Sequence, residues 1–494
     1  MFRSLLAAAL FLGGCTMIPT YRRPVAPVSA AWPQGQAYGA DSADATPLGA
    51  ASGGLDDWKR FYRDPVMQRL IALALENNRD LRIAQHQVAA SSAQFDIENA
   101  ALFPTLNGGA LADVEKLYAG TYSLSGNRGG AFFLREYAVG FGVSAYEVDL
   151  WGRIRSASRA AFDRYMSDEL NRESMRLSVI ASVSAAMLDC VANNEALAVT
   201  RRILENRRRT YDLVRRTRTV GTGTELDVAE AETALHDAET NLEIYTRQRA
   251  QAVNQLELLV GAPLPAEVRT ALDGKAGLAD VVAFPAVPAG LPSDMIGRRP
   301  DILAAEGALR AANDDIGAAR AEFFPKIQIT AANGTASNNI TRLFQSGMGA
   351  WNIAPQITLP LFDAGRLAAQ LKQAKARKRQ EIAQYEKTIQ TAFREVADAL
   401  AGRGTYVGQR QAQDALAASS GREYLLALTR FKAGYDPYLS TLIAQRTFYS
   451  AQLGAITTHL QQMTNMVTLY KALGGGWDAM PAPRPAPSIG ERIL

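Results

Sequence analysis

The chain contains one design twice, and this restricts its fold more than any single motif does. NRDLRIAQHQ (78–87) aligns with RPDILAAEGA (299–308), placing Asp80 over Asp301. LFPTL (102–106) aligns with FFPKI (323–327), placing Pro104 over Pro325, and both offsets are 221. Further on, Gly152 matches Gly365, Gly221 matches Gly434, Leu226 matches Leu439 and Gly261 matches Gly474, each at an offset of 213. The eight-residue difference is confined between Pro104 and Gly152, as expected of a surface loop. A register held from Gly152 to Gly261 marks an internal duplication.

Within each copy the hydrophobic period changes. Residues 66–101 lack Pro and Gly and predict a helix of 36 residues. A second helix is expected over 153–219, with apolar Ile180, Val183, Met187, Cys190 and Leu197 interrupted by Asn194. A third is expected over 225–260, with Leu235, Ala238, Leu242, Tyr245, Ala252, Leu256 and Leu259 interrupted by Arg249. Such seams predict coiled-coil packing, though the core stripe of a soluble bundle looks the same locally. At about 1.5 Å per residue the long helix reaches about 100 Å and each short one about 54 Å. Two short helices end to end match one long helix, and a tube of that length would cross most of a periplasm.

Between the helices the period becomes two. YAVGFGVSA (137–145) alternates Tyr137, Val139, Phe141, Val143 and Ala145 with small residues, and KIQITA (326–331) alternates Ile327, Ile329 and Ala331 with polar ones. WNIAPQITLPL (351–361) alternates similarly, with Pro355 counting against a closed ladder, and 104–118 alternates less cleanly. One apolar face and one small or polar face is the pattern of a transmembrane barrel strand; a half-buried soluble sheet is the alternative. Phe103, Trp151, Phe324 and Phe362 at one end, and Phe132, Phe133, Phe344 and Trp351 at the other, match two interfacial aromatic girdles. Four strands are too few to close a barrel, and an open edge in lipid leaves amides unpaired. The chain is therefore expected to oligomerise.

The N-terminus sets the compartment. Arg3 followed by mostly apolar residues from Ser4 to Leu12 reads as a signal peptide, and Leu12-Gly13-Gly14-Cys15 resembles a lipobox. Cys15 is then expected to carry a diacylglyceryl/palmitoyl lipid; the plainer reading is a signal peptide beside a chance cysteine. Cys190 is the only other cysteine, and His86, His236 and His459 lack metal-ligand spacing. The net charge of +4 from 53 basic and 49 acidic residues gives no field for nucleic acid. After residue 15 no apolar run of about 18 residues predicts a membrane helix. The segments read as a signal peptide (1–14), an extended arm (15–57), a first repeat (58–261), a Pro-rich connector (262–292), a second repeat (293–476) and a tail expected to be disordered (477–494).

The lipobox with PTYRRPVAPV (19–28), GLPSDMIGRRPDILAAE (290–306), PLFDAGR (360–366) and LYKALGGGW (469–477) resembles the TolC/OprM-type outer-membrane factors, within them the lipidated, NodT-type efflux branch. The resemblance implies a mixed α/β membrane protein: a trimeric twelve-stranded transmembrane β-barrel, four strands per chain, continuous with a long α-helical coiled-coil tunnel in the periplasm. It also implies the outer membrane of a Gram-negative bacterium and a passive role as exit duct of a tripartite efflux system. The implied partners are further copies of the chain, a periplasmic adaptor and an inner-membrane transporter of the RND type; no cofactor beyond the lipid is implied.

Local chemistry singles out three places. Asp149 and Asp363 precede helices directly after strands and are expected to cap free amides, with Gly152 and Gly365 allowing close packing. At the tip turns, Gly221, Thr222 and Gly223 are followed by Glu225, giving a Thr222–Glu225 capping box; Gly434 is followed by Asp436 as cap and Pro437 at the first helical position. Asp436, Leu439 and Ile443 share a helical face, their repeat counterparts being Gly223, Leu226 and Glu230. The resemblance implies a gate at these tips, but with Ile443 where family members often carry Asp, leaving Glu230 to supply carboxylates. The basic run 201–218 is interrupted by Glu205 and Asp212 and reads as a solvated or adaptor-facing surface. A pore-less periplasmic coiled-coil lipoprotein or adaptor would explain the seams but not the strands. An enzyme would need a phosphate loop, HExxH or nucleophile elbow, and none is present.

Overall fold

The computed structural model describes residues 16–38, 57–118, 131–285, 297 and 299–476. Cys15, the expected signal peptide, the expected tail and the segment 119–130 lie outside them. In chain order the elements are α1 (Trp58–Phe61), α2 (Pro65–Asn77), α3 (Arg79–Ala100), β1 (Leu106–Tyr118), β2 (Ala131–Val148), α4 (Arg153–Thr219), α5 (Glu225–Val260) and α6 (Ala266–Asp273). They continue as α7 (Pro300–Ala321), β3 (Lys326–Ser337), β4 (Gly349–Thr358), α8 (Arg366–Lys432) and α9 (Tyr438–Ala472). The chain divides into two compact units: one of residues 1–24, 89–167 and 306–384, the other of 25–88, 168–305 and 385–494.

The first unit is built on an antiparallel sheet of order β1-β2-β3-β4, with β1 and β4 at its edges. Register sorts the side chains. Leu106, Val143, Ala331 and Ile353 form one cross-strand row, and Gly108, Phe141, Asn333 and Trp351 the next on the same face. The opposite face carries Asn107, Gly109, Gly140, Gly142, Ala332, Gly334 and Asn352. In these rows the large apolar residues lie on one face, with Asn333 among them, and small or polar residues on the other, the pattern of barrel strands; nearer the 119–130 segment the sorting weakens, with Leu111 and Leu134 on the second face and Lys116 and Arg135 on the first. Gly140 is enforced by contact, since a Cβ there would lie 2.6 Å from the Asn333 carbonyl oxygen.

The expected alternation breaks at Ala145. The pairing passes from Val143–Ala331 to Tyr146–Ile329, and Ala145 takes a φ of 54°. This bulge inserts one residue, so Tyr146 and Val148, not Ala145, continue the apolar face opposite Ile329 and Ile327. Pro355 pairs with Ile329 on edge strand β4, where a missing N–H is tolerated. The last strand stops at Thr358, short of Leu359 and Leu361. At the foot of the sheet Trp151 stacks on Phe324 at 4.8 Å and donates its indole N–H to the Pro325 carbonyl at 2.9 Å.

In the same unit the arm just after Cys15 is held against α7. Asn313 donates to the Pro19 carbonyl at 2.9 Å and Arg320 to the Met17 carbonyl at 3.2 Å, while Arg23 pairs with the largely buried Glu306.

The second unit is helical. The seam Ile180, Val183, Met187, Cys190 and Leu197 on α4 is buried as expected. On α5 the buried stripe runs Ala231, Ala234, Ala238, Ala252, Leu256 and Val260, so Leu235 and Leu259 are only half-buried. One described helix, α4, is long and apolar enough by length and composition to cross a membrane, which departs from the sequence expectation. Its apolarity is that of a core, since Leu177, Val183, Leu188 and Val191 are buried within the protein. Near α1, Phe61 stacks on Tyr470 at 4.0 Å and on Phe284 at 5.0 Å.

Candidate pore, helix junctions and tip

Residues 66–101 form two helices rather than one, broken at Asn78, whose ψ of 132° ends α2. The break has a use. Asn78 accepts a hydrogen bond from the Leu81 amide at 2.9 Å and donates one at 2.6 Å to the Leu259 carbonyl, at the end of α5. Its counterpart at offset 221 is Arg299, which donates at 3.0 Å to the Ala472 carbonyl at the end of α9. Leu259 and Ala472 are themselves counterparts at offset 213. Each repeat therefore ties the end of its short helix to the start of its first, once with an amide and once with a guanidinium. Arg299 is 6% exposed and is also held by Asp301 at 2.7 and 3.0 Å and Glu395 at 2.9 Å. The sequence reading did not single out either residue; equal position relative to the duplicated Asp80 and Asp301 was the available signal.

At the strand-to-helix switches, Asp149 accepts from the amides of Ile154 (3.3 Å) and Arg155 (2.9 Å). Asp363 accepts from Gly365 (3.0 Å) and Leu367 (2.8 Å). Gly152 and Gly365 have φ of 77° and 86°. A Cβ at Gly365 would meet open space, so the left-handed turn and not close packing calls for glycine there.

The two tip turns have the same hydrogen bonds. Thr222 N–H donates to the Thr217 carbonyl at 2.9 Å and Gly221 N–H to Arg218 at 2.9 Å; Tyr435 N–H donates to Arg430 at 3.0 Å and Gly434 N–H to Phe431 at 2.9 Å. With Gly221 and Gly434 at φ of 81° and 79°, both long helices end in a Schellman motif. This commits Thr222 to the turn, so the expected Thr222–Glu225 capping box does not form. Thr224 caps α5 instead, accepting from the Asp227 amide at 3.1 Å while Asp227 accepts from the Thr224 amide at 3.0 Å. Gly223 is packed tightly, with Thr217 Oγ1 at 2.9 Å from a would-be Cβ. In the second tip Pro437 is the N-cap rather than the first helical residue, and Asp436 does not cap. Its carboxylate grips Arg430 at 2.6 and 2.9 Å, which holds it below the usual carboxylate range.

Around these turns Val214, Ala231, Ala234, Tyr438 and Leu442 form an apolar core, with Tyr211, Val228 and Phe431 against it. The candidate gate side chains point elsewhere: Leu226 is 67% exposed, Leu439 47% and Ile443 56%. Glu230 is half-buried near Tyr438. Burial pushes the Tyr438 hydroxyl up to about 12, with Tyr424 and Glu230 adding to the rise and Arg207 opposing it. Arg207, inside the basic run, departs from the expected solvated surface: it is 2% exposed and pairs with Asp237 at 2.8 Å.

Two hairpins that make one amphipathic four-stranded sheet with open edges, each followed in the chain by a very long helix and a shorter one, are the pattern of a chain that forms part of an outer-membrane channel. The sequence model of the family described as outer membrane efflux protein matches residues 70–262 and 291–475. The probable efflux pump outer membrane protein TtgC of Pseudomonas putida is 44% identical over 475 residues, covering 96% of this chain and 95% of the relative. A membrane protein of Pseudomonas aeruginosa superposes with a TM-score of 0.84 at 38% identity, covering 93% of this chain and 100% of that one. The open state of the Neisseria gonorrhoeae MtrE outer membrane channel gives a TM-score of 0.81 at 36% identity, covering 94% and 98%.

The chain belongs to the outer membrane efflux protein family. Its fold is that of trimeric outer-membrane channels with a barrel of strands and a tunnel of helices. It is the outer-membrane channel component of a tripartite efflux system in a Gram-negative bacterium.

Proposed function

We propose that the chain acts as a passive exit duct, lipidated on Cys15, whose periplasmic end is gated by the α5 and α9 starts and engaged there by an adaptor serving an inner-membrane transporter of the RND type. The observation that carries this reading is the exposure of Leu226, Leu439 and Ile443 directly beside a buried tip core. Apolar side chains left outside one chain's core at the end of a long helix pair are suited to meet their copies around an axis, where a narrow apolar neck dewets. The Arg430–Asp436 pair leaves the tip with less free acidic charge than its sequence implies. The arm from Met17 to Arg23, anchored on α7, begins next to Cys15 and supports a lipid tether working alongside the barrel.

Site-specific photocrosslinkers at Thr222 and Tyr435, in cells expressing the cognate pump, test the partner assignment. Adducts with the adaptor are expected at both turns. Adducts confined to the barrel unit would move the docking site away from the tip. Purified trimers in planar bilayers test the duct itself, and absence of conductance under all voltages would leave a structural lipoprotein.

A further inference from the structure

The two long helices carry the same cations where they leave the sheet. Arg153 and Arg164 on α4 match Arg366 and Arg377 on α8 at the offset of 213. Arg153 and Arg366 are the first residues of their helices, and the second pair lies about 16 Å further along each, at about 1.5 Å per residue. All four line one groove of about 430 Å³, together with the small Ala318 and Ala319 of α7. On the α4 side the charge is matched: Arg164 pairs with Asp315, and Arg153 with Glu147 at 2.8 Å and Glu322 at 3.6 Å. Glu322 also holds Lys326 at 2.8 Å. On the α8 side it is not. Arg366 donates to the neutral Gln370 side chain at 3.2 Å, and neither Arg366 nor the exposed Arg377 has a carboxylate partner among the described residues.

The other face of α7 fixes the direction in which the groove looks. Asn313 and Arg320 donate to the Pro19 and Met17 carbonyls of the arm, and a Cβ at Gly317 would lie 2.5 Å from Ile18 Cγ1. Asp315, Ala318 and Ala319 are turned about 180° from these positions, at about 100° per residue. A lipid on Cys15 enters the membrane around the channel and keeps the arm on the outer wall, so the groove across α7 faces the axis. Trimeric symmetry sets three copies of it around the duct. A guanidinium takes a carboxylate or phosphate through its planar fork, and rings of Arg and Lys favour anions in pores. We propose that Arg366 and Arg377, lining the groove with Arg153 and Arg164, form an anion-binding collar that receives the carboxylate or phosphate group of a molecule leaving through the duct. This rests on the duct and lipid-tether readings above.

The test places a reporter thiol in the groove of the full-length trimer by Gln373→Cys, Cys190 being buried. Its labelling rates with anionic sulfonatoethyl and cationic trimethylammonioethyl methanethiosulfonate read the local potential. Adding Arg366→Gln/Arg377→Gln should lower the anionic-to-cationic rate ratio about fivefold at about 0.1 M salt, and the difference should shrink at about 1 M. Arg379→Gln, on another face of α8, should leave the ratio as it was. Millimolar citrate at matched ionic strength should slow labelling when both arginines are present and not in the double variant. An unchanged ratio in the double variant, an equal fall with Arg379→Gln, or the same response to citrate with and without the arginines overturns the collar. Current through reporter trimers in planar bilayers should drop on anionic labelling. An unaltered current puts the groove on the outer wall and overturns the collar while the duct stands; trimers that never conduct overturn the duct reading and the collar with it.

Discussion

Asn78 and Arg299 occupy one position of the duplicated design and solve the same problem, the free carbonyl at a helix end, with different chemistry. Their loss should differ accordingly. Arg299→Met removes charge-assisted hydrogen bonds to Asp301 and Glu395, whose side chains are 31% and 38% exposed and rehydrate, and leaves the Ala472 carbonyl without its donor; bonds to charged groups contribute about 1.5–3 kcal/mol each. Asn78→Ala removes neutral hydrogen bonds and should cost about 1–3 kcal/mol. Denaturant resistance of the trimer in detergent should rank wild type above Asn78→Ala and that above Arg299→Met. Asp163 provides a pH handle in the same way. Burial raises its carboxyl to about 6, the nearby Asp314 adds to the rise, and Arg310, Arg159 and Arg164 oppose it. A carboxyl raised on folding weakens the fold above that value and ceases to do so once protonated. Asp163→Asn should therefore raise the melting temperature at pH 7.5, with the gain shrinking between pH 6 and 4; a gain independent of pH would mean the charge is not its source.

At the scale of elements, the tip helices carry the functional argument. Leu439→Ala should raise single-channel conductance, because trimming an apolar neck admits water. Ile443→Asp should increase cation selectivity with little change in conductance, and Glu230→Gln should lower it. If all three variants behave as wild type, the constriction lies elsewhere and these side chains serve only to pack helices. The ends of these elements show where sequence reading reached its limit. Both Thr222–Glu225 and Thr224–Asp227 have capping-box spacing. The Schellman turn uses up the Thr222 amide, so the frame two residues later forms. Asp436 likewise precedes a helix, yet finds Arg430 across the turn.

For the whole molecule, topology is the quantity to test. Gly, Ser and Asn dominate 119–131 and 333–349, which join the strands at the end away from the long helices and are read as facing the exterior; β3 runs to Ser337 and β4 begins at Gly349, which limits the second connection to 338–348. Epitope tags within 119–130 or 338–348 should be detected on intact cells, and detection only after permeabilisation would invert the barrel. Cys15→Ser should abolish labelling by radioactive palmitate while leaving some inserted trimer, since sheet and helices supply most of the attachment. A wholly soluble, unassembled product would make the lipid a requirement for insertion.

The duplication, the change of hydrophobic period and the four strands were legible along the chain because each is a repeat, and repeats depend only on spacing. The ends of α4 at Arg153 and Thr219 and of α5 at Glu225 and Val260 followed from Gly and Thr punctuation in the same way. What the chain order could not express is competition for partners. The bulge at Ala145 depends on the length of β3 opposite it, and the burial of Arg207 on Asp237 thirty residues away. The break at Asn78 depends on a carbonyl 181 residues further on. Spacing is a property of one strand or helix, but a hydrogen bond or ion pair goes to whichever group packing brings within reach, and only the tertiary structure decides which that is.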